Sequence, residues 1–305
     1  MKKIYLLFVI VWLVPVYLLA QETEEAKTDI NPNKSLLGYW VAKSDIPVMA
    51  PFESGYFIDN QTTRIQSKKT LEIEIQHRFG TMKNGVSDFW GIFGSANTRL
   101  GMNYTITDWL QVGIGTTKDY KLQDLGLKVN ILQQSRANKV PLSIGYYGVW
   151  AVDARDEENF GKNYKFTDRF TFFNELMLSR KFFEWMTLQA GVSFSHFNKV
   201  DSTMDHDLVG LHFLGRFRVT AQSSVIINYD LPLQIKGISE HTSFTNASKP
   251  NLGLGWEIST STHCFQIFFG TANYLIPQYN MMLNRNDWTD GEFMIGFNIT
   301  RLWSF

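Results

Sequence analysis

The chain has 305 residues, 29 Lys plus Arg against 29 Asp plus Glu, and a single cysteine, Cys264. Balanced charge provides no bulk field to attract nucleic acid, so no nucleic-acid partner is expected. The lone cysteine excludes an intrachain disulfide and a cysteine metal cluster. Its distance from the start also excludes an N-terminal lipid anchor on cysteine. Aromatic residues make up 15% of the chain, yet the mean hydropathy is only −0.15. A helical membrane protein is more apolar and a soluble domain carries fewer rings, whereas strands that alternate lipid-facing and lumen-facing residues produce both properties together.

Met1-Lys2-Lys3, an apolar run from Ile4 to Leu19, and then Ala20-Gln21-Glu22 read as a cleaved signal peptide over 1–20. Leu18 is larger than the residue usually found three positions before such a cut, and the run is almost long enough for a retained anchor. No later segment approaches the ~20 apolar residues of a membrane helix. Residues 21–65 form a periplasmic leader or partial plug. The stretch 21–35 is acidic and polar, which suits a mobile leader. From Leu36 to Ile65 there is no period, and this part either caps the barrel from below or folds into its lumen.

From residue 66 the pattern changes. Leu71, Ile73, Ile75 and Phe79 alternate with Glu72, Glu74, Gln76 and Arg78, the period-two signature of a strand with one apolar face. It recurs at Leu100–Ile106, at Leu110–Ile114 and at Leu125–Ile131. Further strands are predicted over 141–152, 168–179, 185–196, 207–219, 224–231, 251–260, 263–271 and 292–303. The fold class is all-β: a closed antiparallel transmembrane β-barrel of about 12 strands over 66–305. Closure requires the strand at 71–79 to pair with the one ending at Phe305.

A soluble β-sandwich also hides one face of each strand. Three features favour the barrel. Short links near 107–108, 180–181, 220–223 and 260–262 alternate with long ones at 80–95, 153–167, 197–206, 232–250 and 272–290, as periplasmic turns alternate with extracellular loops. The links at 117–119 and 134–140 fit this rhythm less well. Trp109, Trp185 and Trp303 fall at one set of strand ends and Trp90 and Trp150 near the other, where headgroups favour amphipathic rings; Trp256, near mid-strand, does not fit. Finally, Phe293, Ile295, Phe297, Ile299, Trp303 and Phe305 share one face, broken by Arg301. Phe297, Trp303 and the terminal Phe305 resemble the signal read by the outer-membrane barrel assembly machinery. Expected partners are that machinery, outer-membrane lipid and lipopolysaccharide, in the outer membrane of a Gram-negative bacterium.

His77-Arg78-Phe79-Gly80, Phe93-Gly94, Asn97-Thr-Arg-Leu-Gly-Met-Asn-Tyr104, Asp108-Trp-Leu110 and Gly113-Ile-Gly115 resemble an uncharacterised family of Bacteroidetes outer-membrane β-barrels, a domain of unknown function. Phe52-Glu-Ser54 and Ile58-Asp-Asn60 resemble the segment before that family's first strand. The resemblance is clearest over about 50–135. It implies fold and compartment and supplies no catalytic residue.

On this reading the lumen carries Glu72, Glu74, Glu175, Asp230, Glu257 and Glu292 against Arg78, Arg99, Lys128, Arg216 and Arg218. Near-balanced signs favour a network bracing the wall, since a selectivity lining shows one dominant sign or a clustered ring. Most strand glycines, among them Gly145, Gly210 and Gly253, share the inner face, for curvature or to make room for inward groups. Asp201, Asp205, His206 and Asp207 sit in one loop, either solvated or binding a divalent cation. Ser195-His196 are neighbours on opposite faces and cannot form a hydrolytic pair. No enzyme signal, cofactor site or metal site emerges. The pattern favours a passive channel or small-solute transport component. The alternatives are a structural or docking barrel with a filled lumen and, more remotely, an outer-membrane hydrolase. Whether 36–65 occupies the bore discriminates the first two.

Overall fold

The computed structural model describes residues 46–305 apart from Phe244, so the signal peptide over 1–20 and the leader over 21–45 lie outside the described residues. A short antiparallel pair, β1 (Tyr56–Phe57) and β2 (Asn60–Gln61), precedes the barrel. The wall then runs β3 (Thr70–Thr81), β4 (Asn97–Thr107), β5 (Leu110–Thr117), β6 (Gln123–Leu132), β7 (Ser143–Val152) and β8 (Phe170–Phe183). It continues with β9 (Met186–Phe197), β10 (Asp207–Arg218), β11 (Ser223–Leu233), β12 (Asn251–Ser259), β13 (His263–Gly270) and β14 (Met294–Ser304). Each strand pairs antiparallel with its neighbours in sequence, and β14 closes onto β3, giving a closed barrel of twelve strands. Ser304 faces Thr70, Ile299 faces Ile75 and Phe297 faces His77 at the seam, with a bulge between Met294 and Gly296.

Alternation sorts the two faces as the sequence implies. On β3, Glu72, Glu74, Gln76 and Arg78 are buried inside. Leu100, Met102, Tyr104 and Ile106 of β4 and Leu254, Trp256 and Ile258 of β12 are exposed on the outside. A soluble sheet would bury those apolar rows, whereas a hydrocarbon surround solvates them and leaves the polar rows to find partners within. Trp256 is thus a ring in the middle of the outer apolar face. Arg301 breaks that face near a strand end, where its guanidinium lies 4.4 Å above the Trp303 ring. Its long stem suits it to reach the interface.

Both irregular links obey the alternation of ends. Residues 118–122 form a tight 3-10 turn on the long-loop end, with Tyr120 and Lys121 at positive φ (58° and 48°). Residues 133–142 lie at the short-turn end and are longer because they receive the incoming chain. Pro47 bridges Ser135, and the Val48 and Arg136 amides donate to Gln134 and Ile46 carbonyls at 2.8 and 2.9 Å. A seven-residue helix, α1 (Pro277–Leu283), lies in the β13–β14 connection and is buried over its first six residues, Pro277 to Met282.

The filled lumen as candidate functional site

Residues 52–66 lie within the barrel. Phe52, Tyr56, Phe57, Ile58, Asp59, Asn60, Gln61 and Thr62 are all buried, although only four of them belong to strands. Irregular backbone at membrane depth is tolerated only where protein or water satisfies its amides and carbonyls. Here the wall does so. Gly55 N donates to Glu72 Oε1 (3.0 Å), Ile58 N to Gln266 Oε1 (3.1 Å) and Thr63 N to Gln189 Oε1 (2.9 Å). In the other direction, Lys128 Nζ donates to the Gly55 carbonyl (2.9 Å), and Gln189 Nε2 to that of Gln61 (2.8 Å). Gln266 Nε2 reaches the Tyr56 carbonyl at 3.2 Å.

The grip is tightest at the β1–β2 turn. Ile58 sits at φ 51°, a region a β-branched residue enters only when its surroundings hold it there. Its carbonyl accepts from Arg78 Nη2 (2.8 Å) and Asn298 Nδ2 (2.9 Å). Asp59 beside it pairs with Arg78 at 2.7 Å and accepts from Asn251 at 3.0 Å. Asn60 donates to Asn228 and Asp230, both at 2.6 Å. Gly253 gives Ile58 its space, because a Cβ there would stand 2.9 Å from Ile58 Cγ2. One side of the segment is apolar: Phe52, Phe57 and Ile58 pack with Leu214, Ile226 and Phe268.

The long-loop half is filled differently. Ile276, Tyr279, Met281 and Met282 of the α1 region pack into a buried apolar cluster with Tyr147, Val149, Phe173, Met177, Phe197 and Leu208. Gly210 makes room for Met281, whose Cε occupies the place a Cβ would take. Asn286 Nδ2 donates to the Thr271 carbonyl (2.7 Å) and Lys249 N to that of Asn284 (2.8 Å), fastening the loop across the mouth.

Nine of the eleven charged residues read as lumen-facing are there. Arg99 bridges Glu74 (3.3 Å) and Asp124 (2.6 Å), and Arg216 bridges Glu257 (2.7 Å) and Glu53 (2.9 Å). His212 pairs with Asp230 at 2.8 Å. The buried Glu175 carboxylate has no hydrogen-bond partner among the described residues. Two residues need correction. Arg218 has the inward parity but ends its strand; it is exposed and donates to the Thr220 and Ala221 carbonyls of the turn. Glu292 precedes β14, and pairs with Lys83 of the neighbouring β3–β4 loop at 2.7 Å rather than with the wall.

Sequence reading overlooked Asp124, although its alternation with Gly126 and Lys128 marks it as inward. It also overlooked Asp59 and Glu53, which belong to no periodic stretch. In the loop cluster, Asp207 pairs with His196 (2.5 Å), Asp205 lies 3.1 Å from His241, and His206 meets the Phe197 carbonyl. These are separate pairs rather than a cation cage. Ser193, His212 and Asp230, on three adjacent strands, reproduce the order of a serine-hydrolase relay, with His212 2.7 Å from Ser193 Oγ and 2.8 Å from Asp230. Ser193 is 3% exposed, and Met281 lies within contact of the same spot above Gly210, so the hydroxyl has no approach for a substrate. The three side chains form one buried hydrogen-bonded chain across β9, β10 and β11.

A wall of twelve antiparallel strands, apolar outside and closed on itself, around a lumen occupied by its own chain defines a membrane β-barrel. Residues 52–303 match the family described as a membrane bound beta barrel domain (DUF5777), and the chain belongs to that family. No curated protein matches it. Among solved structures, a NanC porin is similar at a TM-score of 0.48 and 6% identity, over 77% of this chain and 99% of that one. A KdgM porin gives 0.45 and 5% over 77% and 99%. An outer-membrane channel from Pseudomonas putida F1 gives 0.47 and 12% over 79% and 97%. Likeness this distant says nothing of what this barrel handles.

Proposed function

We propose that the protein is an outer-membrane barrel of channel type closed by its own chain. Residues 52–66 are the plug on the short-turn side, the α1 loop covers the long-loop side, and small solutes cross once the plug yields. The observation that carries this is the chemistry of the wall behind the plug. Glu72, Lys128, Gln189, Gln266 and Asn298 grip the plug through hydrogen bonds that water can replace. A core meant to stay filled is often as stable or more so with apolar residues in place of buried ions. Inward polar groups of Gln76, Glu175, Ser195 and Ser224 have no partner among the described residues, which suits a surface that water wets. Recesses of about 760 and 720 Å³ open at the two ends, with the plug and α1 between them.

In this reading residues 1–20 direct export, and Phe297, Trp303 and Phe305 on the sealing strand are the address for the barrel assembly machinery. Lipid and lipopolysaccharide contact the outer apolar face. Planar bilayers test the channel directly. The full chain should conduct rarely, and a chain lacking 52–66 should conduct in frequent, larger steps. A shortened chain that still shows the heat-dependent gel shift of a folded barrel, yet never conducts, refutes the proposal. The filled lumen itself favours a second reading, a docking barrel. A stoichiometric partner that co-purifies with the full chain, and is lost on deleting 21–65, would select it.

A further inference from the structure

The lumen as a whole balances its charges, but the short-turn mouth does not. The recess of about 760 Å³ there is lined by Arg136, Arg180, Lys181, Arg216 and Arg218 against two carboxylates, Glu53 and Glu184. Both carboxylates are already engaged, Glu53 with Arg216 at 2.9 Å and Glu184 with Lys181 at 2.7 Å. Among the described residues, Arg136, Arg180 and Arg218 have no carboxylate within ion-pair distance. Arg180 reaches the Asn138 amide oxygen (3.3 Å) and lies 5.3 Å from the Phe182 ring centre, and its Nε is buried without a hydrogen-bond partner. Arg218 reaches only two turn carbonyls.

Three guanidiniums around one concave, low-dielectric surface repel one another and focus a positive potential into it. Their forked donors fit carboxylate and phosphate oxygens. The recess already shows the contact such a guest would make, since the Glu53 carboxylate rests on Arg216 inside it. That contact also belongs to the plug's own stem.

We propose that the short-turn mouth is a binding site for multivalent anions bearing phosphate or carboxylate groups, held by Arg136, Arg180 and Arg218 in front of Arg216. Resting on the channel reading, we further infer that such anions are the solute class the barrel accepts from this side. A bound anion competes with Glu53 for Arg216 and loosens the plug's stem.

Calorimetry on the full chain in neutral detergent, with pyrophosphate and citrate as separate probes, tests the site without requiring conduction. The intact protein should bind at least one of them, more weakly as salt rises. The R180Q/R218Q variant should lose at least tenfold in affinity while keeping its heat-dependent gel shift. R155Q, in the recess at the opposite mouth, should bind as the parent does. No binding by the parent, or equal binding by R180Q/R218Q, overturns the site. Nanodiscs of phosphatidylcholine with or without phosphatidylglycerol separate the sources. If phosphatidylglycerol alone abolishes pyrophosphate binding, the guest is a lipid headgroup and the solute inference fails. Reversal potentials of the chain lacking 52–66 complete the test. Anion selectivity that falls in R180Q/R218Q supports the solute class, and cation selectivity refutes it while leaving the channel standing. Binding without conduction keeps the site and removes the channel.

Discussion

The two halves of this lumen are filled by the same chain in opposite ways. On the short-turn side, residues 52–66 are irregular and are held largely by hydrogen bonds from wall side chains to their backbone. On the long-loop side, α1 satisfies much of its own backbone and presents Tyr279, Met281 and Met282 to an apolar cluster. A helix can be held by packing alone, whereas an irregular segment needs a polar wall to complete it. The halves therefore differ in what can release them. Water can substitute for the hydrogen bonds that hold the first, but not for the packing of its Phe52, Phe57 and Ile58 nor for the contacts of the second.

Substitutions can break or sharpen that contrast. Arg78→Met should have the largest effect. It removes the ion-pair partner of the buried Asp59 and one of the two donors to the Ile58 carbonyl, a loss of about 3–5 kcal/mol for a broken buried pair. Denaturant titration in detergent would measure it, and limited proteolysis should find 46–66 newly cleavable. Met281→Ala should cost about 2–5 kcal/mol through the cavity it leaves. Hydrogen exchange should quicken across 277–283 and leave 52–66 protected. Faster exchange in both segments would show that the halves yield as one unit.

Gln266→Leu comes next, at about 2 kcal/mol for two buried backbone groups losing their partner, Ile58 N and the Tyr56 carbonyl. Conductance steps should become more frequent without α1 being disturbed. The smallest effect concerns pH. Hydrogen bonds from Thr289, with Lys249 nearby, hold the Asp287 carboxyl down at about 2 in the outer loop. A depressed carboxyl stabilises the folded loop above its unfolded value and loses that contribution as pH falls through the folded one. Protection at 284–293, measured as exchange relative to the intrinsic rate at each pH, should therefore hold down to about pH 4 and fall toward pH 2, while 52–66 stays protected.

Much of the wall was legible in the sequence. Leu71 to Phe79 announce one strand by alternation alone, and the parity of Glu72, Arg99, Lys128 and Glu257 sends each inward. Parity also predicts its own failures, because it keeps counting past the end of a strand. It therefore places Arg218 and Glu292 on an inner face that neither reaches. The partners were not legible. Asp59 and Glu53 lie in an aperiodic stretch, and nothing local says that Arg78 or Arg216 will find them. The relay of Ser193, His212 and Asp230 was equally invisible, since residues nearly twenty positions apart meet only through strand register. The positive mouth escaped notice for a related reason. Arg136 lies in a turn, and Arg180 has outward parity on β8.

By itself the sequence determined the barrel: its two faces, its strand number to within the error of boundaries, and the seam between the first and last strands. Period-two alternation is a local property, and closure follows from counting strands that must not leave an edge in hydrocarbon. Only the tertiary structure decided what occupies the bore. Residues 52–66 carry no repeating pattern, and the groups that hold them come from strands up to about 240 positions away, such as Asn298 on Ile58. Hydrogen bonds to an irregular backbone leave no period to read, so the segment's place inside the wall emerges only when the wall has closed around it.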